Sequence, residues 1–126
     1  MKNTVSSLLI SIKNAKAINK PQITVGFSNY SESIIKILKM EGFVKDYSII
    51  DKKNKKYISI EADNSKQIMH LKQISKPGRR IYSKSKDMPR PLRGFGLVVV
   101  STPKGVITAK EARKSGVGGE LICEIW

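Results

Sequence analysis

One cysteine, one histidine and no long apolar run leave this chain of 126 residues with few of the materials that enzymes, secreted scaffolds and membrane proteins use. Cys123 has no second thiol to pair with, which excludes an internal disulfide framework and fits a reducing compartment. A bilayer-spanning helix needs about 20 apolar residues, and no run approaches that length. Met1-Lys2-Asn3-Thr4 leads straight into an amphipathic pattern, so neither a signal peptide nor an Arg-rich presequence is expected ahead of the fold. One His and one Cys without ligand spacing do not make a zinc site, and no metal or cofactor is expected. His70 falls on an expected strand, and Cys123 on a strand where it points with Leu121 and Ile125. Both read as structural rather than as a Cys–His nucleophile pair. Gly94-Phe95-Gly96 and Gly116-Val117-Gly118-Gly119 lack the strand, loop and long helix of a nucleotide-binding site.

Acids are scarce as well. Ten Asp+Glu stand against 24 Lys+Arg, giving a formal charge of +14 and a pI near 10.0. Nucleic acid and an anionic membrane surface are the two partners that can use such an excess. A membrane binder gathers its charge on one amphipathic helix with aromatic anchors. Here the charge is spread along the chain and concentrated in loops, with only 6% aromatics, which favours nucleic acid over a membrane. A lysine-rich coding bias is the competing explanation, but it does not by itself deplete acids.

Hydropathy patterning predicts an α+β fold. Its N-terminal α-β-α-β-β half is packed on a mostly β C-terminal half with one short helix. Val5, Leu8, Leu9 and Ile12 fall at i, i+3, i+4 and i+7, the stripe of a helix capped by Asn3 or Thr4. Lys13, Lys16 and Lys20 form a row on another face, whose ordinary reading is a solvated surface. A short strand follows at Ile23-Thr24-Val25. A second helix begins near Ser31 with Asn29 and Glu32 at capping-box spacing, and Gly42 stops it. Strands are expected at Phe43–Ile50 and Tyr57–Ala62 around a turn over Asp51–Lys56. The polar cluster Asp63-Asn64-Ser65 divides the chain into residues 1–65, an α/β subdomain, and 66–126, a mainly β subdomain. In the second part, Met69 and Leu71 alternate with His70 and Lys72. Pro77-Gly78 is a turn with Gly at positive φ, Arg80–Ser83 a short strand, and Lys84–Gly96 a loop. Leu97–Ser101 is a buried strand ending in a hydroxyl-rich loop. Thr108 caps a short helix closed by Gly116, and Glu120–Trp126 is the last strand.

Two segments carry chemistry. Ser101-Thr102-Pro103-Lys104-Gly105 combines hydroxyls that bond phosphate, ribose and base edges, a lysine, and a glycine that lets another backbone approach. Between Lys72 and Arg93 eight basic residues, among them Lys76, Arg79, Arg80 and Lys84, face one acid, Asp87, with Tyr82 among them. A basic stretch with an aromatic can pair with phosphates and stack on a base or ribose.

The order of these segments resembles the bacterial-type small-subunit ribosomal protein eight family. That family has a Ser-Thr-Ser-Lys-Gly loop, a Thr-Asp-Arg-Glu-Ala-Arg helical turn and a Gly-Gly-Glu strand. Here those places read Ser101–Gly105, Thr108-Ala109-Lys110-Glu111-Ala112-Arg113 and Gly118-Gly119-Glu120. Ile74–Tyr82 is similar to its Ser-Arg-Pro-Gly-x-Arg-Ile-Tyr hinge, and Glu41-Gly42-Phe43-Val44 to its Glu-Gly-Phe-Ile. The resemblance implies a structural constituent of the small ribosomal subunit that binds the central domain of small-subunit ribosomal RNA, touches neighbouring small-subunit proteins and carries no catalysis. It also implies repression through the protein's own messenger RNA. The implied RNA contacts are Tyr82, Ser101, Thr102, Lys104, Gly105, Val117, Gly118, Gly119 and Glu120, with Glu120 ordering the loop rather than meeting phosphate. Pro103, where the family has Ser, removes one N–H donor and stiffens the loop. Lys13 and Asn14 match the basic residue and Asn of the family's first helix.

Two rivals are an RNA-binding translational regulator outside the ribosome and a hydrolase or transferase using Glu111 or Glu120 with His70. The Lys/Ile/Asn-rich composition points to a ribosome in an organelle, mitochondrion before plastid, with the bacterial cytoplasm as the alternative.

Overall fold

The apolar stripe at the start of the chain needs a surface to cover, and the strands that follow supply it. The computed structural model describes residues 4–63 and 68–126, which form two compact units, Met1–Ile68 and Met69–Trp126. The expected cap at Asn3 or the Thr4 side chain, and the turn at Asn64-Ser65, lie outside what is described.

The first unit runs α1 (Thr4–Ala17), β1 (Gln22–Gly26), α2 (Asn29–Met40), β2 (Val44–Lys52) and β3 (Lys55–Ala62), with an antiparallel sheet in the order β1-β3-β2. Leu8, Leu9, Ile12 and Ala15 of α1 and Ile34, Ile35, Ile37 and Leu38 of α2 are buried with Ile58 and Ile60 of β3. The lysine row on α1 is not wholly solvated. Lys16 is 2% exposed, and its ammonium donates to the Asp63 carbonyl, which offsets the cost of burying it. The cap of α2 is Ser28 rather than Asn29: extended backbone at Ser28 lets its Oγ accept from Ser31 N at 3.0 Å. Glu32, expected to close a capping box, instead accepts from the Tyr47 hydroxyl at 3.3 Å. The β2–β3 turn is tighter than the sequence suggested. Lys52 pairs with Lys55 around Lys53 and Asn54, at φ 51 and 64, the left-handed pair of a two-residue hairpin.

The second unit holds β4 (Leu71–Gln73), β5 (Tyr82–Ser83), β6 (Leu97–Thr102), β7 (Gly105–Thr108), α3 (Ala109–Ser115) and β8 (Gly119–Ile125). Its sheet runs β4-β8-β6-β7, and β5 also pairs with β8. The fold is α+β, as the patterning predicted. Met88, Val98, Val100, Ala109, Ala112 and Leu121 make a core, with Ile74, Ile81, Ile107 and Val117 packed against it. Thr108 caps α3 by accepting from Glu111 N at 3.1 Å, and Gly116 closes it at φ 69.

Three expectations change here. The loop after β6 is a hairpin: Gly105–Thr108 returns as β7, paired Val99↔Thr108 through Thr102↔Gly105. Gly78 does not adopt positive φ, because Lys76 and Arg79 exchange backbone hydrogen bonds of 2.9 and 3.0 Å across a turn that needs none. Cys123 does not share a face with Leu121. A bulge in β8 puts Cys123 opposite Val99 and Leu121 opposite Val100, so the two point to opposite sides and Ile122 is buried as well.

Candidate nucleic-acid interface

Strand pairing in the second unit builds one row of side chains across four strands. Tyr82 pairs with Glu120, Glu120 with Ser101 and Ser101 with Val106, so all four lie on one face. Tyr82 is 69% exposed, Glu120 and Ser101 half-buried.

Two glycines let the strands close up at the end of this row. A Cβ on Gly118 would come 2.6 Å from the Ser83 carbonyl oxygen and 3.1 Å from Lys84 Cα. One on Gly119 would come 2.1 Å from the Ser101 carbonyl oxygen and 3.0 Å from Thr102 Cγ2. Neither space admits a side chain. The Gly118-Gly119 backbone therefore lies directly between Ser83-Lys84 and Ser101-Thr102. Tyr82, Lys84, Ser101, Thr102, Gly118, Gly119 and Glu120, from three separate stretches of sequence, are thereby brought together.

The hairpin tip is stiffened from within. Thr102 Oγ1 donates to the Gly105 carbonyl at 2.8 Å and accepts from Lys104 N at 3.1 Å. Gly105 sits at φ 111, where a side chain would be strained. Pro103 and Lys104 are exposed at the tip, leaving the lysine ammonium free to meet an anion. The Val117 side chain packs against the core and its N–H donates to the Ala112 carbonyl at 3.0 Å, so neither is offered to a ligand.

A second basic element is held by a serine of the Ile74–Tyr82 hinge whose role the motif does not reveal. Ser75 is 5% exposed; its Oγ accepts from Ile81 N at 2.9 Å and donates to the Ile81 carbonyl at 3.2 Å. That clamp closes the turn in which Lys76 and Arg79 pair, and both are exposed with Pro77 and Gly78. A lone serine gives no signal in sequence for such a role. Arg80 Nη1 donates to Glu120 Oε2 at 3.1 Å, so the one carboxylate in the row already has its cation. Arg113, expected only as part of a helical turn, donates to the Pro89 carbonyl at 3.2 Å. Burial, with Arg90 nearby, lowers its pKa from the usual arginine value. Lys13 and Asn14 are exposed on α1 and belong to the first unit.

The row and its rim present hydroxyls, a flat aromatic, glycine backbone and free ammonium groups with no uncompensated acid. Short hydroxyls and backbone suit the 2′-hydroxyls of the wide RNA minor groove, and the lysines suit phosphates on either side. His70 has other partners than the expected hydrolase pairing requires. Its Nε2 lies 3.0 Å from Glu124 Oε1, and its ring stacks on Trp126 at 3.9 Å, so its carboxylate is neither Glu111 nor Glu120. Among the described residues no cluster of three His, Cys, Asp or Glu side chains could hold a metal.

The family model for ribosomal protein S8 matches residues 3–126. The small ribosomal subunit protein uS8 of Thermus aquaticus is 42% identical, the match covering 97% of this chain and 96% of that one. The proteins of the same name from Halothermothrix orenii and Borrelia turicatae are each 41% identical, over 97% and 98% of this chain and 96% and 97% of theirs. These relatives are bacterial and lend no support to the expected organellar location. Matched along nearly its whole length by the family model and by relatives well above 30% identity, the chain belongs to the ribosomal protein S8 family.

Proposed function

We propose that this protein is a structural constituent of the small ribosomal subunit. In this reading it binds small-subunit ribosomal RNA through the face built by β5, β6, β7 and β8, supports assembly of the central domain, and performs no catalytic step. The observation that carries the reading is the glycine-lined approach of Gly118 and Gly119 to Ser83, Ser101 and Thr102, which sets hydroxyls, Tyr82 and Lys104 on one exposed rim. Ser101, Thr102 and the Gly118-Gly119 backbone would meet the minor groove. Tyr82 would stack on a ribose or base, and Lys76, Arg79, Lys84 and Lys104 would meet phosphates. Glu120 would hold Arg80 in place, while Lys13 and Asn14 would add a contact from the first unit. Residues 66–126 are the RNA-binding subdomain in this scheme. The bacterial relatives favour a bacterial cytoplasm, with neighbouring small-subunit proteins as further partners.

The test is chemical footprinting of purified small-subunit ribosomal RNA with and without the protein, at physiological salt and with competitor RNA. Protection confined to one irregular helix is the expected result. Diffuse protection that competitor removes would mean that the +14 charge acts without specificity, and the reading fails. A transcript of the protein's own coding region serves as one competitor. Displacement by it and by no unrelated RNA extends the reading to repression through its own messenger.

A further inference from the structure

The first unit carries a charge arrangement that the fold itself does not explain. Register puts Lys52 directly opposite Lys55, beside the turn that holds Lys53. Like charges at paired positions on one sheet face, with Cβ atoms about 4.5–5.5 Å apart, are destabilising. All three lysines are exposed, and among the described residues none makes an ion pair. Asp51 gives no relief on that face, because strand alternation turns it to the other side, opposite Lys56. The far end of the same face behaves differently. There Asp46 lies opposite Glu61, again two like charges, but Lys39 Nζ is 3.0 Å from Asp46 and Lys45 Nζ 3.5 Å from Glu61. The acidic pair is neutralised from within and the basic pair is left to the outside.

The row next to the basic pair is a platform. Ile50, 39% exposed, pairs with Tyr57, and Tyr57 pairs on its other side with Gly26, which has no side chain. An aromatic flanked by an aliphatic and a glycine, one row from two unpaired ammonium groups, matches the chemistry of a single-stranded nucleic-acid site: a base on the aromatic, its phosphates on the lysines. Beyond that row the same face continues with exposed Thr24, Ser48 and Gln22, which can bond base edges.

We infer that the Lys52–Tyr57 face of the β1-β3-β2 sheet is a second RNA site, one that takes an unpaired segment of RNA. Lys52, Lys53 and Lys55 hold its phosphates and Tyr57 stacks one base. The assignment rests on the reading of this chain as an RNA-binding protein and adds a site on the other unit, independent of the β6–β7 hairpin.

The test uses the full chain and an eight-nucleotide oligouridylate too short to form a helix. Affinity is measured by fluorescence anisotropy across a salt series. Lys52→Glu/Lys55→Glu is compared with a charge-matched control, Lys110→Glu/Lys114→Glu, placed on the exposed side of α3. The expected result is at least a ten-fold loss for the first pair, with a salt slope shallower by about one to two units, and a much smaller loss for the control. Tyr57→Ala should cost about ten-fold and Tyr57→Phe little, as stacking requires. Lys52→Gln/Lys55→Gln, a milder change at exposed positions, repeats the comparison if the glutamate pair disturbs the hairpin. Equal losses in the two charge pairs, or no loss on Tyr57→Ala, would overturn the inference. So would unchanged oligouridylate binding when the hairpin variants instead fail to enter assembled subunits, which would give this face to an acidic protein. Because the probe is not ribosomal RNA, failure here is distinct from failure of the footprint on the ribosomal helix.

Discussion

Gly119 lies so close to Ser101 that a Cβ on the glycine would sit 2.1 Å from the serine carbonyl oxygen and 2.9 Å from its carbonyl carbon. The obstacle is backbone, which cannot swing aside as a flexible side chain would. Gly119→Ala should therefore push β8 off β6, destabilise the fold by about 1–3 kcal/mol as overpacking does, and disrupt the hydroxyl rim with it. Gly78→Ala is the contrast. Nothing lies within 4 Å of a Cβ there and its φ is not left-handed, so the change should be neutral or stabilise by about 0.4–1 kcal/mol. Denaturant melts of the two variants make the comparison. A Gly119→Ala protein as stable as the parent would mean that the strands do not approach as closely as described.

The hydroxyl of Thr102 serves the protein before it serves a ligand, since it both donates to Gly105 and accepts from Lys104 N. Thr102→Ser keeps both bonds and should bind ribosomal RNA like the parent. Thr102→Ala loses them and loosens the tip, and should weaken specific binding by about 1 kcal/mol, roughly five-fold. Filter binding to the protected helix separates these outcomes. A serine variant as weak as the alanine variant would show that the threonine methyl, not the hydroxyl, matters.

Salt dependence should distinguish free cations from engaged ones. Lys76 and Lys104 are exposed and, among the described residues, unpaired, so replacing either by Ala should flatten the salt slope by about one unit. Arg80 already holds Glu120 at 3.1 Å and offers less net charge to a phosphate. Arg80→Ala should change the slope less than either lysine does, and Glu120→Gln should raise non-specific affinity by freeing the arginine. A slope change for Arg80→Ala as large as that for Lys104→Ala would place Arg80 on phosphate instead.

Much of this was legible in the chain because local rules were obeyed. The 3.6-residue stripe of α1, the Thr108 cap with Gly116 as stop, and the alternation of β3 each depend on neighbours in sequence. What escaped depends on partners far along the chain. The bulge that turns Cys123 away from Leu121 exists only in its pairing with β6, and strict alternation cannot reveal it. Ser75 is a clamp because Ile81 returns to it, and Lys16 is buried because Asp63 offers a carbonyl. At α2 the capping-box spacing points to Asn29, yet the cap is its neighbour Ser28, and only backbone geometry chooses between them. The strand β7 does not show in the sequence, because Gly105 marks a turn so strongly and only Val106-Ile107 separate it from the Thr108 cap. In the site, the glycine pair was visible as a motif, but which backbones it admits was not.

Cys123 gives the last prediction. Burial in the sheet raises its thiol pKa from the ordinary 9.0 to about 12, with Glu124 adding to the rise. The thiolate is the reactive form, so the native protein should resist thiol reagents at neutral and mildly alkaline pH, and one thiol per chain should appear on unfolding. The same shift has a consequence for stability, and its sign is fixed. Below about pH 9 the thiol is protonated whether the chain is folded or not, and its contribution is fully present. As pH climbs from 9 toward 12 the unfolded chain releases the proton and the folded one keeps it, so stability falls over that interval. Cys123→Ala removes the proton and the slope together, though it leaves a small cavity. Denaturant midpoints of parent and variant followed across this range should converge as pH rises. Parallel curves would mean that the thiol titrates alike in both states and is not sealed in the sheet.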